Sequence, residues 1–296
     1  MNMKVLILGS TGMLGHMVLK ELSRENKILV FGTHISKLND LFYFNVEEGL
    51  EKLDVLYEEN EGFDYFINCI GITADKIDSF DSSSIIKAVN INTLFPHQLA
   101  EFSQKKNIRV IHISTDGVFS GDAEFYDEDS PCDCIDIYGK TKSLGEVNNN
   151  NNFLNIRCSI IGPSPFEKGG LFEWFCSRPE GSKVSGYTNH FWNGVTTLQF
   201  AELCQKIIQK NCFDNIRKES SVHHFCPNQV ISKYELLKLF NSILGKRIQI
   251  VPAANGSYPV KRILRTKYNS LRNLFGGNKD IQLEIRKFYK RYCNRS

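Results

Sequence analysis

The chain contains 296 residues, of which 42% are hydrophobic and 23% are charged, and it carries a formal net charge of +3. This length fits a globular protein with one sizeable domain and a smaller one. Its apolar stretches are too short to cross a membrane, and the apolar start of the chain ends in a glycine turn without a signal-peptide cleavage site. We therefore expect a cytoplasmic protein without a membrane partner.

The positive charge is concentrated at the C-terminal end. Residues 256–296 contain eleven Lys or Arg against Asp280 and Glu284, so this tail carries +9 and the rest of the chain −6. The basic residues are spread among apolar positions, which is typical of a solvated helix face. We expect no nucleic-acid partner, although one or two arginines could face a phosphate-bearing ligand.

Nine cysteines are scattered along the chain. An odd number without a secretion signal fits reduced thiols better than a disulfide framework. Cys132 with Cys134, or His224 with Cys226, could be proposed as zinc ligands, but the four-ligand spacings of structural zinc sites are missing. We expect no metal site.

A glycine-rich turn lies near the start of the chain. Residues 4–8 form a continuous apolar run, and a helical apolar pattern follows the turn through residues 17–22. Strand, glycine turn and helix in this order are the context in which a dinucleotide pyrophosphate binds at a helix N-terminus, although a merely structural turn is the alternative. The candidate cofactor-binding residues in the turn are Gly9, Thr11, Gly12, Met13, Leu14 and Gly15.

Further apolar runs alternate with helical patterns. We predict strands at 28–31, 65–69, 109–114 and 153–157, with helices near 49–57, 85–105 and 138–146. This alternation predicts an α/β fold with a doubly wound parallel sheet of the Rossmann type, which binds ligands at the carboxyl ends of its strands. Short segments with polar residues or glycine follow these strands, and their candidate cofactor- or substrate-site residues are Thr33, His34, Cys69, Ile70, Gly71, Thr115 and Asp116. A run of five asparagines at 148–152 looks like a loose surface loop.

The residues after the second strand bear on the choice of cofactor. An acidic residue there binds the ribose 2′-hydroxyl of NAD, whereas a basic residue accommodates the 2′-phosphate of NADP. Residues 32–37 contain no acid, and His34 or Lys37 could contact the phosphate. NADP is therefore favoured over NAD. Asn45 could bind the adenine edge, or it could simply be a turn asparagine.

Tyr138 and Lys142 are four residues apart, so on a helix they share a face. A nearby ammonium favours the phenolate, and such a tyrosine can act as a general acid. Tyr234 and Lys238 repeat the same spacing, so the spacing alone proves nothing. The context of the first pair is what separates it from the second.

In chain order, the glycine turn, residues 68–71, Thr115 and the Tyr138/Lys142 pair resemble the extended short-chain dehydrogenase/reductase family. Segments 13–15, 89–100, 114–121, 138–146 and 170–175 resemble its dTDP-4-dehydrorhamnose reductase branch, which reduces nucleotide-linked 4-keto-6-deoxy sugars. The resemblance covers most of the chain and weakens after about residue 250.

The resemblance implies that Tyr138 donates a proton to the sugar C4 oxygen while Thr115 hydrogen-bonds the same oxygen. It implies that Lys142 holds the nicotinamide ribose and lowers the pKa of Tyr138, and it adds Asn90 to the cofactor-binding residues. The chain departs from the pattern at Gly117, where the branch usually has a tyrosine, and at Ile35, where close relatives place an arginine.

The second half of the chain is expected to contribute the substrate site. We predict an NADP-binding Rossmann domain at 1–160 and a mainly substrate-binding domain at 161–296, with some segments returning to the sheet. Asp116, Trp174 and Arg262 are the candidate substrate contacts. The arginine suits a pyrophosphate or is a surface residue of the basic tail, and Trp174 is preferred to Trp192 for stacking on a sugar or base, although such aromatics are often core residues.

Three functions remain open at this stage. The first is an NADPH-dependent reductase of the C4 ketone of a UDP- or dTDP-linked 4-keto-6-deoxyhexose, acting in rhamnose-like or N-acetylated deoxysugar synthesis. The second is an epimerase or dehydratase that retains its cofactor; Gly117 after Asp116 argues against a dehydratase, which tends to need an acid pair. The third is a non-catalytic NADP-binding regulatory subunit. A homodimer is possible in each case.

Overall fold

The computed structural model describes residues 2–36, 40–166, 168–254, 256 and 258–293. Its strands are β1 (Met3–Leu8), β2 (Ile28–His34), β3 (Phe42–Tyr43), β4 (Tyr65–Asn68), β5 (Arg109–Ser114), β6 (Phe153–Arg157), β7 (Ile160–Ile161), β8 (Lys183–Tyr187), β9 (His190–Trp192), β10 (Val195–Thr196), β11 (Val222–His224), β12 (Ile231–Ser232), β13 (Gln249–Ala253) and β14 (Val260–Lys261). Its helices are α1 (Gly15–Leu22), α2 (Glu51–Glu59), α3 (Ser82–Val89), α4 (Phe95–Lys106), α5 (Ile137–Leu144), α6 (Gly170–Cys176), α7 (Thr197–Gln209), α8 (Phe213–Glu219), α9 (Lys233–Leu244), α10 (Ser270–Phe275) and α11 (Ile281–Phe288).

The largest sheet has seven strands in the order β11-β6-β5-β4-β1-β2-β3. Each neighbouring pair runs parallel. The order reverses on either side of β1, and the carboxyl ends of β1 and β4 therefore open a crevice between oppositely wound halves. The predicted doubly wound parallel sheet is confirmed.

Both faces of this sheet are buried. Along β1, Val5 and Ile7 belong to one apolar cluster while Leu6 and Leu8 belong to the cluster on the other face. Successive side chains of a strand point to opposite faces, so a strand with helices on both sides needs a continuous apolar run. Burying one such side chain completely contributes roughly 1.5–3 kcal/mol. The sequence pattern that predicted these strands is thus a direct consequence of the two covered faces.

One helical region and one strand differ from their predicted form. The helix predicted at 85–105 is longer, since α3 continues through a π-helical turn at Asn90–Leu94 into α4. Strand β2 also extends further than predicted, to His34.

The asparagine run at 148–152 is more constrained than a loose loop. Asn150 is buried, and its amide donates to the carbonyl of Ala100 at 2.7 Å. The Arg217 guanidinium donates to the carbonyls of Asn150 and Asn148 at 3.1 and 2.9 Å. The prediction of a loosely held segment is therefore wrong, because asparagine amides can satisfy buried backbone groups.

Smaller sheets follow the sixth strand of the large one. Strands β12, β9 and β14 form a three-stranded sheet, β8 pairs with β13, and β7 pairs with β10. The chain then returns to the large sheet through β11, which pairs with β6. Helix α7 packs against α1 on the way. The later half of the chain therefore supplies both a separate small sheet and an edge strand of the large one.

Candidate active site

The glycine turn connects β1 with α1. Gly9 has a φ of 77°, a conformation that favours glycine. Its N–H donates to the Thr33 hydroxyl at 3.1 Å, which ties the turn to the end of β2. A Cβ added at Gly15 would lie 2.1 Å from the Gly9 carbonyl oxygen. The helix therefore starts against the turn, and its free N–H groups face the crevice where an anion binds favourably.

A cleft of about 500 Å³ opens beside this turn. Its size lies in the range of small-molecule sites. It brings together these predicted cofactor residues: Gly9, Thr11, Gly12, Thr33, His34, Asn45, Cys69, Ile70 and Gly71.

Other predicted cofactor residues occupy different positions. Leu14 is a core residue, Gly15 is the first residue of α1, and Asn90 follows the last residue of α3. Lys37 lies outside the described residues. Met13 lies in the turn, and its sulfur would be 3.4 Å from a Cβ added at Gly170 of α6.

The far end of the cleft has no carboxylate at the end of β2. Ser36 N–H donates to Nδ1 of His34 at 3.0 Å, which orients the imidazole, and Ile35 is largely exposed. Lys87 and Glu47 also line the cleft and form an ion pair at 3.4 Å. The end of β2 therefore presents an imidazole to the cleft, and residues 32–36 contain no carboxylate.

Asn45 lines the cleft but its side chain caps a short turn. Its Oδ1 accepts the N–H of Glu47 at 3.1 Å, and its amide donates to Glu48 at 3.3 Å. This arrangement is the turn asparagine that the sequence left open as an alternative.

Thr115 and Tyr138 meet at the carboxyl edge of β5. Helix α5 starts after Asp136, whose carboxylate accepts the N–H of Gly139 at 2.8 Å, and this places Tyr138 in the first turn. The Thr115 hydroxyl donates to the Asp116 carboxylate at 3.3 Å, accepts the N–H of Gly117 at 3.0 Å, and lies close enough to the Tyr138 phenol to lower its pKa. Two neighbouring hydroxyls of this kind can both approach a single carbonyl oxygen.

Gly117 lies directly under the tyrosine ring. A Cβ added there would lie 3.0 Å from Cε1 of Tyr138 and 3.2 Å from the Thr115 oxygen. A side chain at this position would therefore crowd both Tyr138 and Thr115. It is also the position where the sequence departs from the family pattern.

The protonation of Tyr138 differs from the prediction. Burial raises the pKa of Tyr138 to about 12, the hydrogen bond from Thr115 opposes this, and the Asp116 carboxylate adds to it. The side-chain nitrogen of Lys142 donates to the Ile113 carbonyl of β5 at 2.8 Å. The predicted lowering of the Tyr138 pKa by Lys142 is thus wrong for this structure, because desolvation and a nearby carboxylate both disfavour the phenolate.

A group of basic side chains faces Asp116 from the sheet formed by β12, β9 and β14, called the small sheet below. Strand β9 pairs with β12 on one side and β14 on the other, and the registers set Lys233 beside His190 and Arg262 beside Trp192. Burial raises the pKa of Asp116, while the charges of Arg262 and Lys233 oppose the rise. Burial also lowers the pKa of Lys233 to about 8.

The Arg262 guanidinium has a hydrogen-bond donor without a partner among the described residues. Its Nη2 lies 4.0 Å from the Asp136 carboxylate, while its buried Nε has no hydrogen-bond partner there. An unpaired buried donor is costly, and a ligand oxygen would remove that cost. Sequence reasoning found Arg262 but missed Lys233 and His190, because Lys233 begins a helix whose capping box already explained the segment.

The two tryptophans occupy contrasting places. Trp174 is 38% exposed on α6, and the Arg178 guanidinium lies 5.2 Å above its ring. Trp192 is buried, its Nε1 has no partner among the described residues, and the Lys233 ammonium lies 5.3 Å from its ring. Trp192 is therefore the tryptophan next to the basic group, although Trp174 was the preferred candidate.

Asn92, which the sequence did not single out, connects the two sides of the site. Its amide accepts the N–H of Ile72 at 2.9 Å and donates to the Ile72 carbonyl and to the Thr141 hydroxyl at 3.0 and 3.2 Å. The loop after β4 is thereby fixed to the middle of α5. Asn92 thus connects a loop beside the cofactor cleft to α5, the helix that carries Tyr138.

The described part of the chain contains neither a candidate metal site nor a candidate membrane-spanning helix. No cluster of three or more His, Cys, Asp or Glu side chains suitable for a metal ion occurs among the described residues. Over the same residues, no helix has the length and hydropathy needed to traverse a bilayer.

The parallel sheet, the glycine turn and the Thr115–Tyr138 pair define a Rossmann-type protein of the extended short-chain dehydrogenase/reductase class. A dTDP-4-dehydrorhamnose reductase from Bacillus anthracis, solved with NADP, superposes with a TM-score of 0.78 at 20% identity, covering 98% of this chain and 100% of that one.

Curated relatives are more diverse. A methionine adenosyltransferase 2 subunit beta from Xenopus tropicalis is 25% identical over 79% of this chain and 70% of its own length. A probable low-salt glycan biosynthesis reductase, Agl14, from Haloferax volcanii is 29% identical over 49% of this chain and 48% of its own length. Residues 3–274 match the family described as the RmlD substrate binding domain. The chain belongs to that family.

Proposed function

We propose that this protein is an NADPH-dependent reductase of the C4 ketone of a UDP- or dTDP-linked 4-keto-6-deoxyhexose. The observation that carries the proposal is that Thr115 and Tyr138 lie close together at the carboxyl edge of the sheet, where the cofactor cleft also opens. The relatives named as reductases support the same reaction class.

The chemistry of ketone reduction suits these two hydroxyls. Bound NADPH would supply a hydride to the carbonyl carbon, so negative charge develops on the oxygen. Thr115 can donate a hydrogen bond to that oxygen, and Tyr138 can transfer its proton to it. A raised pKa keeps the Tyr138 phenol protonated and ready to act as an acid. A carboxylate in the same position would repel the developing charge.

The cleft fits NADP in its shape and lining. Gly9, Gly12 and the start of α1 would hold the pyrophosphate, and His34 would approach the adenosine 2′-phosphate. Cys69, Ile70 and Gly71 after β4 line the same cleft. These residues hold and orient the dinucleotide, whereas the proton comes from Tyr138.

The basic group on the small sheet would hold the nucleotide diphosphate. Arg262 and Lys233 carry two positive charges against the single carboxylate of Asp116, so the group has a net positive charge that would attract the diphosphate. Asp116 would accept hydrogen bonds from sugar hydroxyls. Trp192 offers its unpaired Nε1 as a further donor.

The reaction can be tested with purified protein, NADPH and a panel of UDP- and dTDP-linked 4-keto-6-deoxy sugars. Tyr138→Phe should lower kcat by about 100- to 10,000-fold, because it removes the acid and leaves the ring in place. Tyr234→Phe is the matched control, since Tyr234 has a lysine at the same spacing but lies on α9. Equal rates for the two variants, or no NADPH oxidation by the wild type with any sugar, would refute the proposal.

A second candidate is a subunit that binds a dinucleotide without turnover and acts on a partner enzyme. The similarity to a protein named as the beta subunit of methionine adenosyltransferase 2 favours it. The two candidates differ in one measurement. A non-catalytic subunit would bind NADP but consume no NADPH, and Tyr138→Phe would leave its behaviour unchanged.

A further inference from the structure

One end of the cofactor cleft lies between the end of β2 and helix α3. The N–H of Phe44 donates to the His34 carbonyl at 3.0 Å, so the segment after β3 lies beside the end of β2. Glu47 of the same segment and Lys87 of α3 both line the cleft, and their side chains form an ion pair at 3.4 Å. Lys87 therefore contacts the side of the cleft where the adenosine ribose binds in this fold.

Positive charge is scarce on this lining. Among the described residues that line the cleft, the lysines and arginines are Lys76 and Lys87 alone. Lys76 ends a short turn that follows β4, and β4 and β2 lie on opposite sides of β1 in the sheet. Lys87 is thus the basic residue of the described lining that contacts the adenosine side.

The ion pair between Lys87 and Glu47 can be exchanged for another. The two side chains are 53% and 46% exposed, and an exposed ion pair contributes little to stability. A phosphate monoester carries roughly two negative charges near neutral pH, so it is a stronger partner for an ammonium than one carboxylate. His34 offers a phosphate one nitrogen at most, because its Nδ1 accepts the N–H of Ser36 at 3.0 Å.

We propose that Lys87 selects NADP over NAD, because its ammonium leaves Glu47 and pairs with the adenosine 2′-phosphate when the dinucleotide binds. This inference rests on the proposed function, in which the cleft binds NADP. Glu47 has the opposite role, since its carboxylate competes with the phosphate for the same ammonium. The two members of one ion pair therefore have opposite effects on cofactor affinity, whereas a merely structural pair would support the cleft through both members.

The direct test uses adenosine fragments of the cofactor. Adenosine 2′,5′-bisphosphate carries the 2′-phosphate and adenosine 5′-monophosphate lacks it, so the ratio of their dissociation constants isolates the contribution of that group. Isothermal titration calorimetry at neutral pH measures both constants. Lys87→Gln should weaken binding of the bisphosphate about tenfold or more and of the monophosphate less than about twofold, because one charged hydrogen bond is lost.

Glu47→Gln tests the opposite role of the carboxylate. The variant removes the competing charge and keeps the size of the side chain. Binding of the bisphosphate should become about two- to fivefold tighter, the range expected for losing an exposed ion pair, while binding of the monophosphate should stay unchanged. Weaker binding of the bisphosphate to Glu47→Gln would overturn the proposal, because the pair would then support the cleft as a unit.

Lys106→Gln is the matched control. Lys106 of α4 forms a similar pair with the carboxylates of Asp54 and Glu58 on α2, at 2.9 and 2.8 Å, but it does not line the cleft. The control should leave both dissociation constants unchanged. Three other results would refute the role of Lys87: equal weakening of the two nucleotides by Lys87→Gln, the same loss in Lys106→Gln, or a wild type that does not prefer the bisphosphate.

These titrations contain no sugar and involve no turnover. A protein that meets all of these expectations but oxidises no NADPH would refute the proposed reductase and leave the role of Lys87 intact. A protein that reduces a nucleotide sugar while Lys87→Gln keeps the wild-type preference for the bisphosphate would refute this inference alone. The two failures are therefore distinguishable.

Discussion

The buried ion pair between Arg157 and Glu146 offers a sharp test of how this site is held together. Arg157 donates to both carboxylate oxygens of Glu146 at 2.7 and 2.6 Å, and the two side chains are 6% and 4% exposed. Ser114 donates to the same carboxylate at 2.6 Å. Because Ser114 precedes Thr115 and Glu146 follows α5, the pair joins the two elements that carry the proposed active-site hydroxyls.

Arg157→Leu should destabilise the protein by about 3–5 kcal/mol, because it leaves a buried carboxylate with only the Ser114 hydroxyl as a partner. The two lost hydrogen bonds to a charged group, at about 1.5–3 kcal/mol each, give a similar figure. Replacing both residues by leucine removes the stranded charge. The Arg157→Leu/Glu146→Leu double variant should therefore be more stable than Arg157→Leu alone by at least about 1 kcal/mol.

The measurement is urea unfolding followed by circular dichroism at neutral pH. Asp214→Asn is the control, because Asp214 forms an equally short pair with Arg109 at 2.7 Å but the two side chains are 63% and 32% exposed. Its loss should cost less than about 1 kcal/mol. The reasoning is refuted if Arg157→Leu costs no more than this control, or if the double variant is less stable than Arg157→Leu.

Other predictions follow from single contacts. Gly145→Ala should reduce stability and activity, since its Cβ would lie 1.9 Å from the Asn92 carbonyl oxygen. Gly169→Ala is the control and should change neither, because the space around Gly169 is open. Thermal unfolding compares the stability of the two variants. The KM for the nucleotide sugar should rise as pH increases through about 8, where Lys233 loses its charge, and Lys233→Gln should abolish this rise. Ile35→Arg should increase the NADPH over NADH preference about tenfold or more, measured as a ratio of kcat/KM, since a guanidinium can bind the 2′-phosphate.

The sequence predicted those features that depend on local pattern. The alternation of apolar runs and helical stretches arises because both faces of the sheet are covered, so the parallel fold follows from it. Tyr138 was found because a helix places residues four apart on one face, and Thr115 because it follows a buried strand. The resemblance to a known family then distinguished Tyr138 from Tyr234.

The remaining features depend on contacts between distant segments. Lys142 was predicted to face Tyr138, but its side-chain nitrogen donates to the Ile113 carbonyl of β5 and lies 3.4 Å from Nε2 of His112 on the same strand. His112 lies within an apolar strand, where a histidine gives no local signal of its partner. Lys233 joins the site only because β9 pairs with both β12 and β14. Pairing between short strands is nonlocal and has no periodic signal in the sequence.

The return of β11 to the large sheet has a consequence for how the protein can be divided. Its residues 222–224 pair with β6, although β7–β10 and α7 lie between the two strands in the chain. A truncated chain ending near residue 160 would leave β6 as a bare edge, with unpaired N–H and C=O groups open to intermolecular pairing. A protease that cuts once between these strands would instead yield two fragments that migrate together until denaturant separates them.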